Sequence, residues 1–291
     1  MNIMPIIKEA EAELKAIYED LHAHPEIGFK EHRTSKIVQS KLKEYGVDEV
    51  YSGIGKTGVV ATLENGQGKS IGLRADMDAL PIFEENNSKK YKSKIEGKMH
   101  ACGHDGHTTM LLGAAKYLSE TRNFNGKVIL IFQPAEEGFA GAKSMIDDGL
   151  LTKYPIDEIY GMHNMPGLHL GKFSIRPGAF FAASDEFSIN IIGKGGHAAG
   201  PQETIDPVIV AANIVTAIQT ITSRNVNPTK EVVVSICSLR TSSEAFNVIP
   251  ESVLIMGTVR TLDKKIRTKV QKRVEKIVKN ISLAYGAKAS V

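Results

Sequence analysis

Within nine residues, Met99-His100-Ala101-Cys102-Gly103-His104-Asp105-Gly106-His107 gathers one thiol, three imidazoles and one carboxylate. Sulfur, nitrogen and oxygen donors in this mixture suit a divalent cation such as zinc, manganese or cobalt. Taken singly, each has a plainer reading: Cys102 as a small buried hydrophobe, His100 and His107 as satisfied histidines, Asp105 as a helix cap. A cysteine and a histidine separated by one glycine resist that reading, because a turning backbone can aim both at one point. Met110, Leu111, Ala114, Ala115 and Leu118 follow at i, i+3/i+4 spacing, which predicts a helix with one buried face. The cluster then sits at that helix's N-terminus, where the dipole and free N–H groups favour a thiolate and Asp105 is placed to cap.

A metal site needs partners, and three strand-like runs supply them. Ser70 to Arg74 leads into Ala75-Asp76-Met77-Asp78-Ala79-Leu80-Pro81, with two acids of like parity where strand gives way to loop. Lys127-Val128-Ile129-Leu130-Ile131-Phe132 is a continuous apolar run of the kind found in buried strands, and it ends in Gln133-Pro134-Ala135-Glu136-Glu137-Gly138. Ile159 to Met162 ends in His163-Asn164. The C-terminal ends of parallel strands are where α/β sheets place chemistry. Adjacent carboxylates at Glu136 and Glu137 repel unless something positive separates their roles.

The elements around these residues read in order. Residues 5 to 22 form a helix broken at Pro25, and residues 34 to 45 form a second. Strands at 58–63 and 70–74 are separated by Asn65-Gly66-Gln67-Gly68, a hairpin signal. Gly68-Lys69-Ser70 resembles the end of a phosphate loop, but position 63 is leucine where that loop needs glycine, so no nucleotide site is read. Near Ser184 the character changes to a β-α-β-β-α order, one strand short of a split βαβ sandwich. Its first strand ends in Gly193-Lys194-Gly195-Gly196-His197, where glycines allow close backbone approach and expose the histidine.

Composition bounds the rest. The chain has 291 residues, 42% of them hydrophobic, enough for a large core in two domains. No apolar run approaches the roughly 18 residues of a membrane span, and the first residues turn charged too early for a secretory signal, so the expected location is the cytoplasm. Two cysteines, Cys102 and Cys237, do not make a disulfide framework. A net charge of +3 is spread too thinly to imply nucleic acid or membrane. Its densest basic stretch, 264–279, keeps helical apolar spacing and is the wet face of an amphipathic helix.

The chain resembles the M20 metallopeptidases, in particular the amidohydrolase branch with hippurate hydrolases, N-acyl-amino-acid amidohydrolases, auxin-conjugate hydrolases and N-acetyldiaminopimelate deacetylases. The resemblance rests on His22-Ala23-His24-Pro25-Glu26, Arg74 to Pro81, Met99 to His107, Gln133 to Gly138, Gly161-Met162-His163, Gly193 to His197 and Asn247-Val248-Ile249-Pro250. It implies an α/β catalytic domain over 1–183, with a central mostly parallel sheet flanked by helices. Residues 184–291 would form an inserted α+β lid of split βαβ, ferredoxin-like type. Cys102, His104, Glu137 and His163 are implied as ligands of two divalent ions (zinc, manganese, cobalt or nickel), with Cys102 bridging. Glu136 is implied as general base and Asp78 as the acid that orients a ligand, a part that Asp76 could equally take. His197 is implied as a lid histidine that reaches the partner's active site in a homodimer. The family's final catalytic segment, with its last metal histidine, has no counterpart here, since no histidine follows His197.

The function implied is hydrolysis of the amide bond of small N-acyl amino acids by water activated at the metal pair. A dipeptidase or aminopeptidase of the same family is the neighbouring alternative. Two rivals differ in class: Cys102 as covalent nucleophile with His104 as base, and a catalytically silent chain that keeps metal binding and dimerisation. A nucleobase deaminase is disfavoured, as no Pro-Cys-x-x-Cys partner is present.

Overall fold

The computed structural model describes residues 4–85 and 89–291, which form two compact units, Met1–Lys172 and Phe173–Val291. The expected boundary at 183/184 falls beside the start of the second unit's first strand, Ala183–Ile192.

In the first unit, α1 (Pro5–Glu9) and α2 (Glu11–Ala23) replace the single expected helix. The second ends before His24-Pro25, as the proline ring demands of the residue before it. The Glu26 carboxylate accepts the N–H groups of Arg33 and Thr34 at 3.0 and 2.8 Å, covering free donors at the start of α3 (His32–Glu44). Strands β1 (Glu49–Ile54), β2 (Gly58–Asn65) and β3 (Ser70–Asp76) follow, then α4 (His104–Thr121), β4 (Gly126–Gln133), α5 (Gly141–Asp147), α6 (Leu150–Lys153) and β5 (Glu158–Gly161).

The sheet order is β1-β2-β4-β3-β5. β4 pairs antiparallel with β2 and parallel with β3, and β3 pairs parallel with β5, so the sheet is mixed rather than mostly parallel. The hairpin expected at residues 65–68 does not form, because β4 inserts between β2 and β3. The connection instead crosses the start of β4 at close range. A Cβ on Gly126, whose φ is +106°, would lie 2.3 Å from the Lys69 carbonyl oxygen, so only glycine fits that crossing. Helices cover both faces. Leu21, Val38, Leu42, Leu111, Leu112 and Ala115 pack on Ala61, Leu63, Ala75, Leu130 and Phe132, while Met145, Leu150 and Tyr154 pack on Val60, Ile129 and Ile131. Burial on both faces explains why β4 is a continuous apolar run.

The second unit contains β6 (Ala183–Ile192), β7 (Gly196–His197), α7 (Pro207–Thr220), β8 (Val232–Thr241), β9 (Val248–Ile249), β10 (Ser252–Thr261), α8 (Lys264–Ala284) and β11 (Lys288–Ser290). Its four-stranded antiparallel sheet runs β11-β6-β10-β8. The strand missing from the sequence reading is thus present as β11, completing the split βαβ order. Ile214, Ile218, Val270, Val274, Ile277 and Val278 of the two helices bury one sheet face. Asp206 and Asp263 cap the helices, accepting the N–H of Val208 and of Lys265 and Ile266 respectively.

One buried polar contact ties α2 to α4. His22 Nδ1 lies 2.6 Å from Asp105 Oδ2, and its Nε2 lies 3.2 Å from Glu84 Oε1. The Asp105 hydrogen bond outweighs burial and raises the His22 pKa above its ordinary value of 6.5. The protonated ring is therefore favoured in the folded state. Its contribution to stability is complete below the unfolded value and fades as pH rises through the higher folded value. In metal-free protein, the stability lost on His22→Gln should accordingly be larger at pH 6 than at pH 9 by urea unfolding. An equal loss at both pH values would contradict the charged assignment.

Candidate metal centre

β3, β4 and β5 run parallel and end at one edge, with Asp76 opposite Gln133 and Arg74 opposite Gly161 in register. The chain leaving each strand supplies Asp78, Glu136-Glu137 and His163, and α4 begins at His104 beside them. Gly103, with φ of +87°, makes the turn into that helix, and any Cβ there would meet the Asn164 side chain at 2.5 Å. Asp105 does not cap α4. It lies inside the first turn, where Oδ1 accepts the Gly106 N–H and the other oxygen is held by His22.

Three overlapping groups place one donor atom each within 4.8 Å of one another: Cys102, His104 and His163; His104, Glu136 and Glu137; and Asp76, His104 and His107. His104 belongs to all three. It is fully buried, and neither ring nitrogen makes a hydrogen bond of good geometry among the described residues. Its Nδ1 lies 3.3 Å from Asp78 Oδ1, while Nε2 faces Asp76 at 3.6 Å and Glu137 at 3.9 Å. Burial alone would lower its pKa, but Asp78, Asp76 and Glu137 outweigh that and raise it. An imidazole nitrogen set among carboxylates without a proton partner suits a cation. His163 Nε2 lies 3.4 Å from Cys102 Sγ, and its Nδ1 is 2.6 Å from the Asn164 carbonyl oxygen. A soft sulfur, imidazole nitrogens and carboxylate oxygens in one cluster fit a divalent ion.

The two acids after β3 have separate tasks. Asp78 Oδ1 and Oδ2 accept the N–H groups of Glu136 and Glu137, each at 2.9 Å, while Oδ1 also faces His104. Asp76 accepts from His107 Nδ1 at 2.7 Å and from the Arg74 guanidinium at 2.7 Å. Burial would raise the Asp76 carboxyl, but the His107 hydrogen bond and the Arg74 charge hold it well below the usual range. His107 Nε2 accepts the Asn164 N–H at 3.0 Å, linking Asp76 to the residue after His163. Neither that link nor the part of Asn164 is evident from sequence; the available signal is the place of His107 within the Met99–His107 motif.

The Cys102 thiol is shifted up rather than down: burial, and then the Glu137 and Glu136 charges, push it to about 12. A thiol held protonated by burial and neighbouring carboxylates is a poor nucleophile, which counts against a cysteine nucleophile, and a bound cation would displace its proton. Burial and Glu137 likewise raise Glu136 above the usual carboxylate value. His100 is buried with both ring nitrogens unpartnered among the described residues, and burial lowers it to about 4. His197 belongs to the second unit, where it is exposed in β7 and its Nδ1 accepts the Ala199 N–H at 3.1 Å.

Residues 72–284 match the model of peptidase family M20/M25/M40. A hippurate hydrolase of Campylobacter jejuni is 50% identical over 285 residues, 98% of this chain and 73% of that protein. An N-acyl-L-amino acid amidohydrolase of Geobacillus stearothermophilus is 44% identical, over 98% of this chain and 77% of that one. A solved Bacillus subtilis structure, described as a dinuclear metal binding peptidase from the M20 family, superposes with a TM-score of 0.79 at 37% identity. That match covers 97% of this chain and 73% of the other. With its strand-end donors and these matches together, the chain belongs to the M20/M25/M40 peptidase family.

Proposed function

We propose that this protein is a metal-dependent amidohydrolase that cleaves the amide bond of N-acyl amino acids with water as nucleophile. The observation that carries the reading is the convergence of Cys102, His104, His163, Glu136 and Glu137 around one buried imidazole at the strand ends. The names of the hippurate hydrolase and amidohydrolase relatives support the substrate class.

Cys102, His104, Glu137 and His163 would hold a pair of divalent ions. When bound, such ions supply Lewis acidity for the scissile carbonyl and for water. Glu136 takes the proton from the attacking water and later gives it to the leaving amine. Its raised pKa suits both halves of that task. Asp78 orients His104 and fixes the backbone from which Glu136 and Glu137 project.

Removing the base and removing a ligand should have different effects. Glu136→Gln should lower kcat by at least about a hundredfold, the lower range for lost general-base catalysis, while bound metal stays near the wild-type level. Glu137→Ala should lose metal, read by elemental analysis after dialysis, and chelation should abolish wild-type turnover. An active Glu136→Gln protein, or equal metal retention in both variants, would overturn the assignment.

We further propose a homodimer formed through the second unit, with His197 acting in the partner's site. The ten-residue edge strand β8, free on one side within its sheet, supports pairing between copies. Gly195 and Gly196 before His197 let it project. Mixed Glu136→Gln and His197→Ala chains should recover activity that neither has alone, because a hybrid dimer contains one site with both groups. Absence of rescue after verified subunit exchange would place His197 in its own chain's reaction.

A further inference from the structure

The turn that carries Glu136 and Glu137 begins with a residue under strain. Ala135 is fully buried and has φ of +51°, in the left-handed region that non-glycine residues occupy only where the surroundings hold them there. Its carbonyl accepts the Gly141 N–H at 2.9 Å, and its N–H donates to Glu31 Oε1 at 2.8 Å. Glu31 comes from the segment before α3, 104 residues earlier, and is itself fully buried. The Thr57 hydroxyl donates to its other oxygen at 2.5 Å. Two buried carboxylates therefore grip three successive backbone N–H groups: Glu31 takes that of Ala135, and Asp78 takes those of Glu136 and Glu137. Burying a carboxylate is costly unless charge-assisted hydrogen bonds compensate. Burial does push the Glu31 carboxyl up, with the Thr57 and Ala135 bonds opposing it.

We propose that Glu31 is a positioning residue of the reaction: by holding the Ala135 N–H it locks the left-handed turn and so sets the direction in which Glu136 and Glu137 leave β4. It touches neither substrate nor metal. The proposal rests on the roles assigned above to Glu136 and Glu137. Without Glu31, the Ala135 N–H would be buried and unpaired, and the turn would relax toward ordinary backbone angles, moving both carboxylates at once. Thr57 acts one step further out, by orienting the Glu31 carboxylate.

The test uses the full chain and two readouts, the affinity of metal-free protein for Co2+ alone, measured by competition with a chromogenic chelator, and the kcat and KM of the metal-loaded enzyme. Glu31→Ala should weaken Co2+ affinity by about tenfold or more, the scale seen when a group supporting a metal ligand is removed, and should lower kcat with KM little changed. Glu31→Gln should recover most of both, because its amide oxygen still accepts from Ala135 and its amide N–H can donate to Thr57 Oγ1. Rescue by the amide separates an acceptor that sets geometry from a charge that merely stabilises. Should Glu31→Ala fail to fold, Thr57→Val takes its place and should shift both readouts in the same direction by a smaller factor. Wild-type affinity and kcat in folded Glu31→Ala, or in Thr57→Val where the alanine variant does not fold, would overturn the proposal. So would a Glu31→Gln protein impaired in both readouts. Glu136→Gln and Glu137→Ala, run alongside, identify which idea has failed. If those two behave as assigned, a negative result removes Glu31 alone; if they do not, the reading of the site falls and this proposal with it.

Discussion

The site depends on carboxylates, two of them buried, that could not crowd together without donors to hold them. Asp76, Asp78, Glu136 and Glu137 crowd one edge of the sheet, with the buried His104 imidazole among them. Backbone N–H groups and neighbouring side chains neutralise part of that repulsion: Asp78 takes two N–H groups, and Asp76 takes His107 and Arg74. Burial, together with the negative charge that remains, keeps the Cys102 thiol protonated and raises Glu136. A cation placed there relieves both, which is why the same cluster can bind metal and hold a base of raised pKa.

The sheet's topology makes this crowding possible. Because β3, β4 and β5 are parallel neighbours, three chain segments far apart in sequence emerge at one end, while α4 brings His104 from a fourth direction. The antiparallel strands β1 and β2 add no donor to the cluster, yet with β4 they build the apolar layer on which α2, α3 and α4 pack. His22 and Asp105 then fasten α2 to the helix that begins with His104. Core packing and site geometry are thus coupled through α4.

Much of this was legible in the sequence, for a physical reason. Strand ends announce themselves when a buried apolar run stops at polar residues, so Asp78, Glu136-Glu137 and His163 could be placed at strand ends one by one. Pairing order was not legible. The Asn65–Gly68 segment has hairpin composition, but hydrogen bonding between strands is decided by which apolar faces stack, and β4 fills the gap. The direction of the Cys102 shift is not legible for a similar reason: burial and the charges of Glu137 and Glu136 come from chain distant in sequence. Asp105 looked like a cap because of its position, but its side chain is used by His22, again from far away. The place of β11 after α8 is legible, as the one position left for the strand that the β-α-β-β-α order lacks, but its pairing with β6 is not.

If Cys102, His104, Glu137 and His163 meet at a bound divalent ion, X-ray absorption at the zinc edge of zinc-loaded protein will register their donors. One sulfur scatterer at about 2.3 Å should accompany the nitrogen and oxygen shell, and it should vanish in Cys102→Ser while the imidazole signal persists. A zinc-loaded wild-type protein whose shell contains only oxygen and nitrogen would contradict the account.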